Sequence, residues 1–171
     1  PGVSQKIANM CEANGVNFLD APVSGGEPKA IDGSLAIMVG GKENIFTKCK
    51  PIFEVLGSSV VLCGNYGAGN TTKLANQIIV AANIEAVSEA LVLAKKAGLD
   101  PNTVFNARKG GLAGSTVLNA KAPMMITGDF NPGCRIKLEQ KDLHNAGRNG
   151  KEVGVHLPVT SWIQQMRGDG R

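Results

Sequence analysis

Two short stretches hold the residue types that could do chemistry. In "GAGNTTKLANQ", Gly67 to Gln77, the glycines Gly67 and Gly69 form a tight loop that feeds a helix and sets Lys73 in what reads as its first turn. The positive end of the helix dipole opposes a cation there. With partial burial the same effect eases loss of the proton, so an amine in that place can give and take a proton near neutrality. Asn76 and Gln77 follow three and four positions on, so one of them shares the Lys73 face and can hydrogen-bond the same small molecule. Taken alone, this stretch fits a solvated surface lysine and a polar helix residue equally well. The second stretch is "FLDAPVSGG", where an apolar run ends in Asp20-Ala21-Pro22 and opens into Ser24-Gly25-Gly26. One glycine would suffice to turn the chain. Two beside a hydroxyl leave backbone N–H groups uncovered, within reach of a small anion.

Other chemistries find little support. His144 and His156 have no cysteine or carboxylate partners at ligand spacing, so no metal site is expected and both read as surface or helix-end residues. Ser24 does not sit in a G-x-S-x-G elbow. The cysteines Cys11, Cys49, Cys63 and Cys134 form no C-x-x-C pair and read as small apolar core residues in a reducing compartment. Lys121-Ala122-Pro123 and the Met124-Met125 pair read as core packing, and the Arg167-Gly168-Asp169 tripeptide as incidental. With 43% hydrophobic and 19% charged residues among 171, a packed core is expected. The net charge of +4 is dispersed and aromatics are only 4%, which weighs against nucleic acid and fits a small anionic ligand. No leader and no apolar run of bilayer length is read, so a soluble cytoplasmic protein without membrane contact is expected.

The elements that must position these residues follow from periodicity. Val3, Ile7, Ala8 and Cys11 mark a helix stopped by Asn14-Gly15. "VNFLDAPV", "SLAIMVGG" and "SSVVLCG" read as strands. Glu43 to Leu56 reads as a helix burying Ile45, Phe46, Cys49, Ile52, Phe53 and Leu56, with Pro51 splitting or kinking it. From Thr71 nothing reads as strand. One long helix is expected over 71–98, with Lys95 and Lys96 in its last turn and Gly98 as its cap. Asp100-Pro101 restarts a helix, and further helices are expected over Thr116–Met125, Lys137–Asn145 and Val159–Arg167. Gly147 and Gly150 predict a break after Asn145, since each interior glycine costs about 0.5–1 kcal/mol against alanine. The grammar is therefore α/β over 1–66 and all-α over 67–171. The long helix is too apolar for the chain that follows to cover, so a second subunit is expected on its bare face.

"DAPVSGG" followed by "GAGNTTK", with "GGLAGSTVL" at Gly110–Leu118 and "KDL" at Lys141–Leu143, resembles the β-hydroxyacid dehydrogenase family. That family includes 3-hydroxyisobutyrate and 6-phosphogluconate dehydrogenases. The resemblance runs over nearly the whole chain. It implies a Rossmann-type NAD or NADP domain, of which residues 1–66 are the C-terminal part, then a helical domain of the 6-phosphogluconate dehydrogenase kind. It also implies a homo-oligomer built through the helical domain and a small hydroxy or oxo acid substrate. On this chain Lys73 becomes the catalytic acid/base. Ser24, Gly25 and Gly26 become the loop that holds the substrate carboxylate, and Asn76 or Gln77 becomes the substrate-positioning group. Lys141 becomes a cofactor contact, and Gly111 to Ser115 line the pocket. No G-x-G-x-x-G follows a strand, so the nucleotide-binding half is expected to lie outside this sequence. From another class of function, the chain could be a truncated relative kept for binding and dimerisation.

Overall fold

A computed structural model describes residues 1–131 and 136–168. The expectations for Cys134 and for the Asp169 end of the Arg-Gly-Asp tripeptide lie outside the described residues. The chain forms two compact units, Pro1–Asn76 with Arg148–Gly154, and Gln77–Gly147 with Val155–Arg171.

The first unit opens with α1 (Gly2–Ala13), whose Ala8 is fully buried while Val3 and Ile7 stay exposed. Four short strands form its sheet, β1 (Leu19–Asp20), β2 (Val23–Ser24), β3 (Ala36–Gly41) and β4 (Ser59–Gly64). β3 is central and buries Ile37 and Val39. It pairs parallel with β4 and antiparallel with β1 and β2. The antiparallel pairs keep one register, from Leu19 opposite Gly41 to Ser24 opposite Ala36. β1 and β2 are thus one edge strand interrupted at Ala21-Pro22. The interruption has a chemical cause. Met38 N donates to Pro22 O at 3.0 Å, and Pro22 carries no N–H to return the bond.

α2 (Gly26–Ile31), which the sequence pattern did not mark, follows β2 directly. α3 (Glu43–Leu56) runs unbroken through Pro51, against the expected split. The bond Pro51 cannot make would end on Thr47 O, at an exposed turn where water can serve that carbonyl. The buried face of α3 is also narrower than its periodicity implied. Ile45 is buried and Phe46 stacks on Phe53 at 6.5 Å, but Ile52 and Leu56 are exposed. Cys11, Cys49 and Cys63 are half-buried free thiols rather than core residues.

α4 (Ala68–Lys96) begins in the first unit and is the spine of the second. With α5 (Pro101–Arg108) and α6 (Thr116–Thr127), it packs one core of Val87, Leu91, Leu118 and Ala122, flanked by Phe105 and Met125. With α7 (Ile136–Glu152) and α8 (Pro158–Gly168), it packs another, where Ala81 meets Leu143 and Ile163. Caps set the starts. Asp100 accepts from Asn102 N and Thr103 N, and Ser115 Oγ accepts from Leu118 N. The Thr103 hydroxyl and N–H hold the Asp100 carboxyl below the usual carboxylate range.

Two expectations fail in this unit. α7 does not break after Asn145 but runs through Gly147 and Gly150 to Glu152. Leu143, Ala146 and Gly150 recur three and four apart on one buried face, and that burial outweighs the modest propensity cost of two glycines. The second failure concerns bilayer length, because α4 is long and apolar enough to cross a membrane by length and composition. Its buried side chains are nonetheless matched in the two cores above. Glu85, near its middle, meets Arg167, which also pairs with Glu139. A carboxylate tied into a polar cluster fits a protein interior and opposes lipid.

Candidate active site

In the first unit, Ser24 ends β2 and is half-buried, and Gly25 and Gly26 are exposed. Gly25 has φ 141° and Gly26 φ 70°, a left-handed region that glycine alone enters without strain. This explains why two glycines stand there. A Cβ at Gly25 would lie 2.6 Å from Lys29 Cβ. Gly25 is also the N-cap of α2 and offers no side-chain cap, so the first N–H groups of that turn are left for another acceptor.

Lys73 is half-buried and is the sixth residue of α4. The structure corrects its placement, because α4 starts at Ala68 and Lys73 falls in the second turn. The dipole effect fades within one turn, so it no longer supports the expected ease of proton loss from this lysine. What occupies the helix start instead is Asp20, only 5% exposed. Its Oδ1 accepts from Gly67 N at 2.7 Å and its Oδ2 from Asn70 N at 2.8 Å and Asn70 Nδ2 at 3.1 Å. The neighbouring loop is pinned by Tyr66, whose hydroxyl donates to Glu12 Oε1 at 3.0 Å and whose ring meets Phe18 edge-on. Lys42 pairs with the same carboxylate. Hydrogen bonds from Lys42 and then Tyr66 hold Glu12 below the usual carboxylate range.

Asn76, half-buried, closes the first stretch of that unit. In the second unit the structure brings Gln77 and Lys141 together on Asp142. Gln77 Nε2 donates to Oδ2 at 3.2 Å, and Lys141 Nζ lies 3.3 Å from Oδ1. The Lys141 side chain is 61% exposed, so an incoming phosphate or amide could compete for its ammonium. A pyridine nucleotide, with its phosphates and carboxamide, fits that donor. Ser115 keeps its hydroxyl on the α6 cap. His144 and His156 are exposed, and among the described residues no three His, Cys, Asp or Glu side chains are grouped to hold a metal.

Sequence reasoning passed over Asp20, Asn70 and Asp142. Asp20 meets partners 47 and 50 residues away, a pairing that no local spacing signals. Asp142 adjoins Lys141 but reads as an ordinary helix-surface carboxylate until Gln77 is placed beside it.

An α/β segment of a dinucleotide-binding domain feeding a long helix and a helical domain defines the 6-phosphogluconate dehydrogenase type of architecture. Two family models match in that order. That of the NAD-binding domain of 6-phosphogluconate dehydrogenase spans residues 1–64, and that of the NAD-binding domain of NADP-dependent 3-hydroxyisobutyrate dehydrogenase spans residues 67–169. The chain belongs to the β-hydroxyacid dehydrogenase family. It is 49% identical over 166 residues to 2-hydroxy-3-oxopropionate reductase of Escherichia coli K12, covering 97% of this chain and 57% of that protein. It is 37% identical over 172 residues to 2-(hydroxymethyl)glutarate dehydrogenase of Eubacterium barkeri, covering 100% and 57%. The solved structure of Mycobacterium tuberculosis 3-hydroxyisobutyrate dehydrogenase with L-serine superposes with a TM-score of 0.88 at 30% identity, covering 96% and 59%. The chain therefore spans little more than half the length of these relatives.

Proposed function

We propose that the intact protein is an NAD(P)H-dependent reductase that converts 2-hydroxy-3-oxopropanoate (tartronate semialdehyde) to glycerate. The observation that carries this substrate is the 49% identity to the E. coli 2-hydroxy-3-oxopropionate reductase. The N–H groups of Gly25 and Gly26 at the uncapped start of α2, with the Ser24 hydroxyl, hold the substrate carboxylate, while the Ser24 backbone is paired with Ala36 in the sheet. A bound dihydronicotinamide supplies the hydride that reaches the aldehyde carbon. As the carbonyl π bond opens, Lys73 delivers a proton from its ammonium to the alkoxide oxygen, and its neutral amine then regains a proton from water. In the reverse direction Lys73 removes the hydroxyl proton. Asn76 or Gln77 fixes the substrate hydroxyl. Lys141 lies against the cofactor. The free thiols support a reducing, cytoplasmic setting.

The test is a steady-state comparison of 2-hydroxy-3-oxopropanoate, methylmalonate semialdehyde (the oxidised form of 3-hydroxyisobutyrate), succinic semialdehyde and glyoxylate with both reduced cofactors. The first is expected to give the highest kcat/KM, by at least tenfold. A higher value for another acid would reassign the substrate. No turnover of any of them by the intact protein would favour a binding and dimerisation module instead.

We further propose that a second copy covers α4. Only 22% of its most apolar stretch is buried in this chain, and Ile79, Val92 and Leu93 are 60% exposed or more. The contact leaves out Val87 and Leu91, which already pack inside their own unit. Beside it, Val92 and Phe130 line an apolar hollow of about 310 Å³. Obligate interfaces resemble a core cut in half. Sedimentation equilibrium of the intact protein should give a dimer or larger assembly, and a well-folded monomer at micromolar concentration would refute this contact.

A further inference from the structure

We infer that Asp20 is a positioning residue for the reaction, its buried carboxylate clamping the strand that leads into the Ser24–Gly26 loop onto the start of the helix that bears Lys73. This rests on the reading of Lys73 and Ser24–Gly26 given above. Burying a carboxylate costs several kcal/mol unless hydrogen bonds and opposing charge replace its water. Here they do. Asp20 takes three N–H donors from Gly67 and Asn70 at the positive end of α4, and Asn70 Nδ2 also reaches Ser4 Oγ at 2.8 Å.

A helix normally takes its cap from the residue just before it. At α4 that residue is Gly67, which has no side chain to offer, so the cap comes from a strand 47 residues upstream. The contact is tight as well as polar. A Cβ at Gly40 would stand 2.5 Å from Asp20 Oδ1, and one at Gly69 would stand 2.3 Å from Met38 O and 2.7 Å from Asp20 O. Pro22 completes the arrangement. Its missing N–H leaves Met38 O without the donor that would otherwise lie across from it, and the backbone of Gly69 comes against that carbonyl. Asp20-Ala21-Pro22 thus docks the helix start.

From this fixed point, Ser24 is four residues along one strand register and Lys73 is three residues beyond Asn70, one turn of helix. A carboxylate placed only for stability would fasten the fold. This one fastens both halves of the proposed chemistry.

The test is a kinetic double-mutant cycle in the intact enzyme with 2-hydroxy-3-oxopropanoate. Asp20→Asn keeps the shape but sets an NH₂ against one of the backbone N–H groups. It should lower kcat at least tenfold while NAD(P)H affinity, read by nucleotide fluorescence, stays within twofold. In a Lys73→Ala background the same change should cost less than twofold, because there is no amine left to misplace. An equal loss in both backgrounds, or a kcat for Asp20→Asn within threefold of the parent, overturns the inference and leaves the role of Lys73 standing. A Lys73→Ala enzyme that keeps more than a tenth of parental kcat instead overturns the functional reading, and this inference with it. Should Asp20→Asn fail to fold, Asn70→Ala decides. It removes the side-chain donors alone and should cost threefold or more in kcat in the parent and nothing in the Lys73→Ala background. An unchanged kcat in the parent overturns the proposal.

Discussion

Replacing Lys73 with alanine in the intact enzyme is expected to lower kcat by ~10²–10⁴-fold, the usual worth of a positioned acid/base. The expectation follows from where the fold puts this amine. Lys73 is half-buried one turn into α4, beyond a helix start fixed by three hydrogen bonds to Asp20. Alanine is the best helix former, so the substitution should leave α4 intact and report on chemistry rather than folding. Cofactor affinity should stay within twofold of the parent, since Lys141 rather than Lys73 is the proposed cofactor contact. Single-turnover rates with saturating NAD(P)H separate the steps. A folded Lys73→Ala enzyme with more than a tenth of parental kcat would show that the proton comes from elsewhere.

The second large effect is expected on binding. Gly25→Val should raise KM for the oxo acid at least tenfold, with a smaller change in kcat at saturation. Valine cannot adopt φ 141° without strain, and its Cβ would press on Lys29 Cβ from 2.6 Å. The turn must therefore re-form, and the branched side chain would cover the N–H groups proposed for the carboxylate. A hydrogen bond to a charged group contributes ~1.5–3 kcal/mol, so losing one already accounts for a factor of ten or more. Urea unfolding guards against the trivial explanation, because the site is exposed and global stability should persist. An unchanged KM in a folded variant would remove the carboxylate from this loop.

Much of the architecture was legible from local signals. The Glu43–Leu56 helix, the Asp100-Pro101 restart and the Thr116 start of α6 follow from spacing and capping chemistry, which act over one or two turns. The failures share a cause. Pro51 and the Gly147–Gly150 pair are local penalties that solvent access in one case and a buried face in the other override, and neither can be read before the chain is folded. Ile52 and Leu56 fit the apolar period of α3 yet remain exposed, because periodicity gives a face and not what covers it. In the candidate site, Ser24, Gly25, Gly26 and Lys73 stood out by residue type. Asp20 did not, since its meaning lies in donors at a helix start 47 and 50 residues away. The apparent first-turn position of Lys73 misled by a few residues, since α4 starts earlier, at a helix start capped by Asp20, and the dipole effect fades before the second turn.

The dock formed by Asp20, Pro22, Gly40 and Gly69 also has a consequence for how such a sequence can vary over generations. Three of its four members carry no group that could touch a ligand, and by side chain alone they look the most replaceable. Yet any atom added at Gly40 or Gly69 collides with backbone or with the buried carboxylate. An N–H at position 22 could close the pair with Met38 and join the two halves of the edge strand beside the dock. Each single step away leads downhill before any second step can compensate. In a lineage that keeps this chemistry, these unadorned positions should drift more slowly than the charged surface around them, held by geometry instead of reactivity.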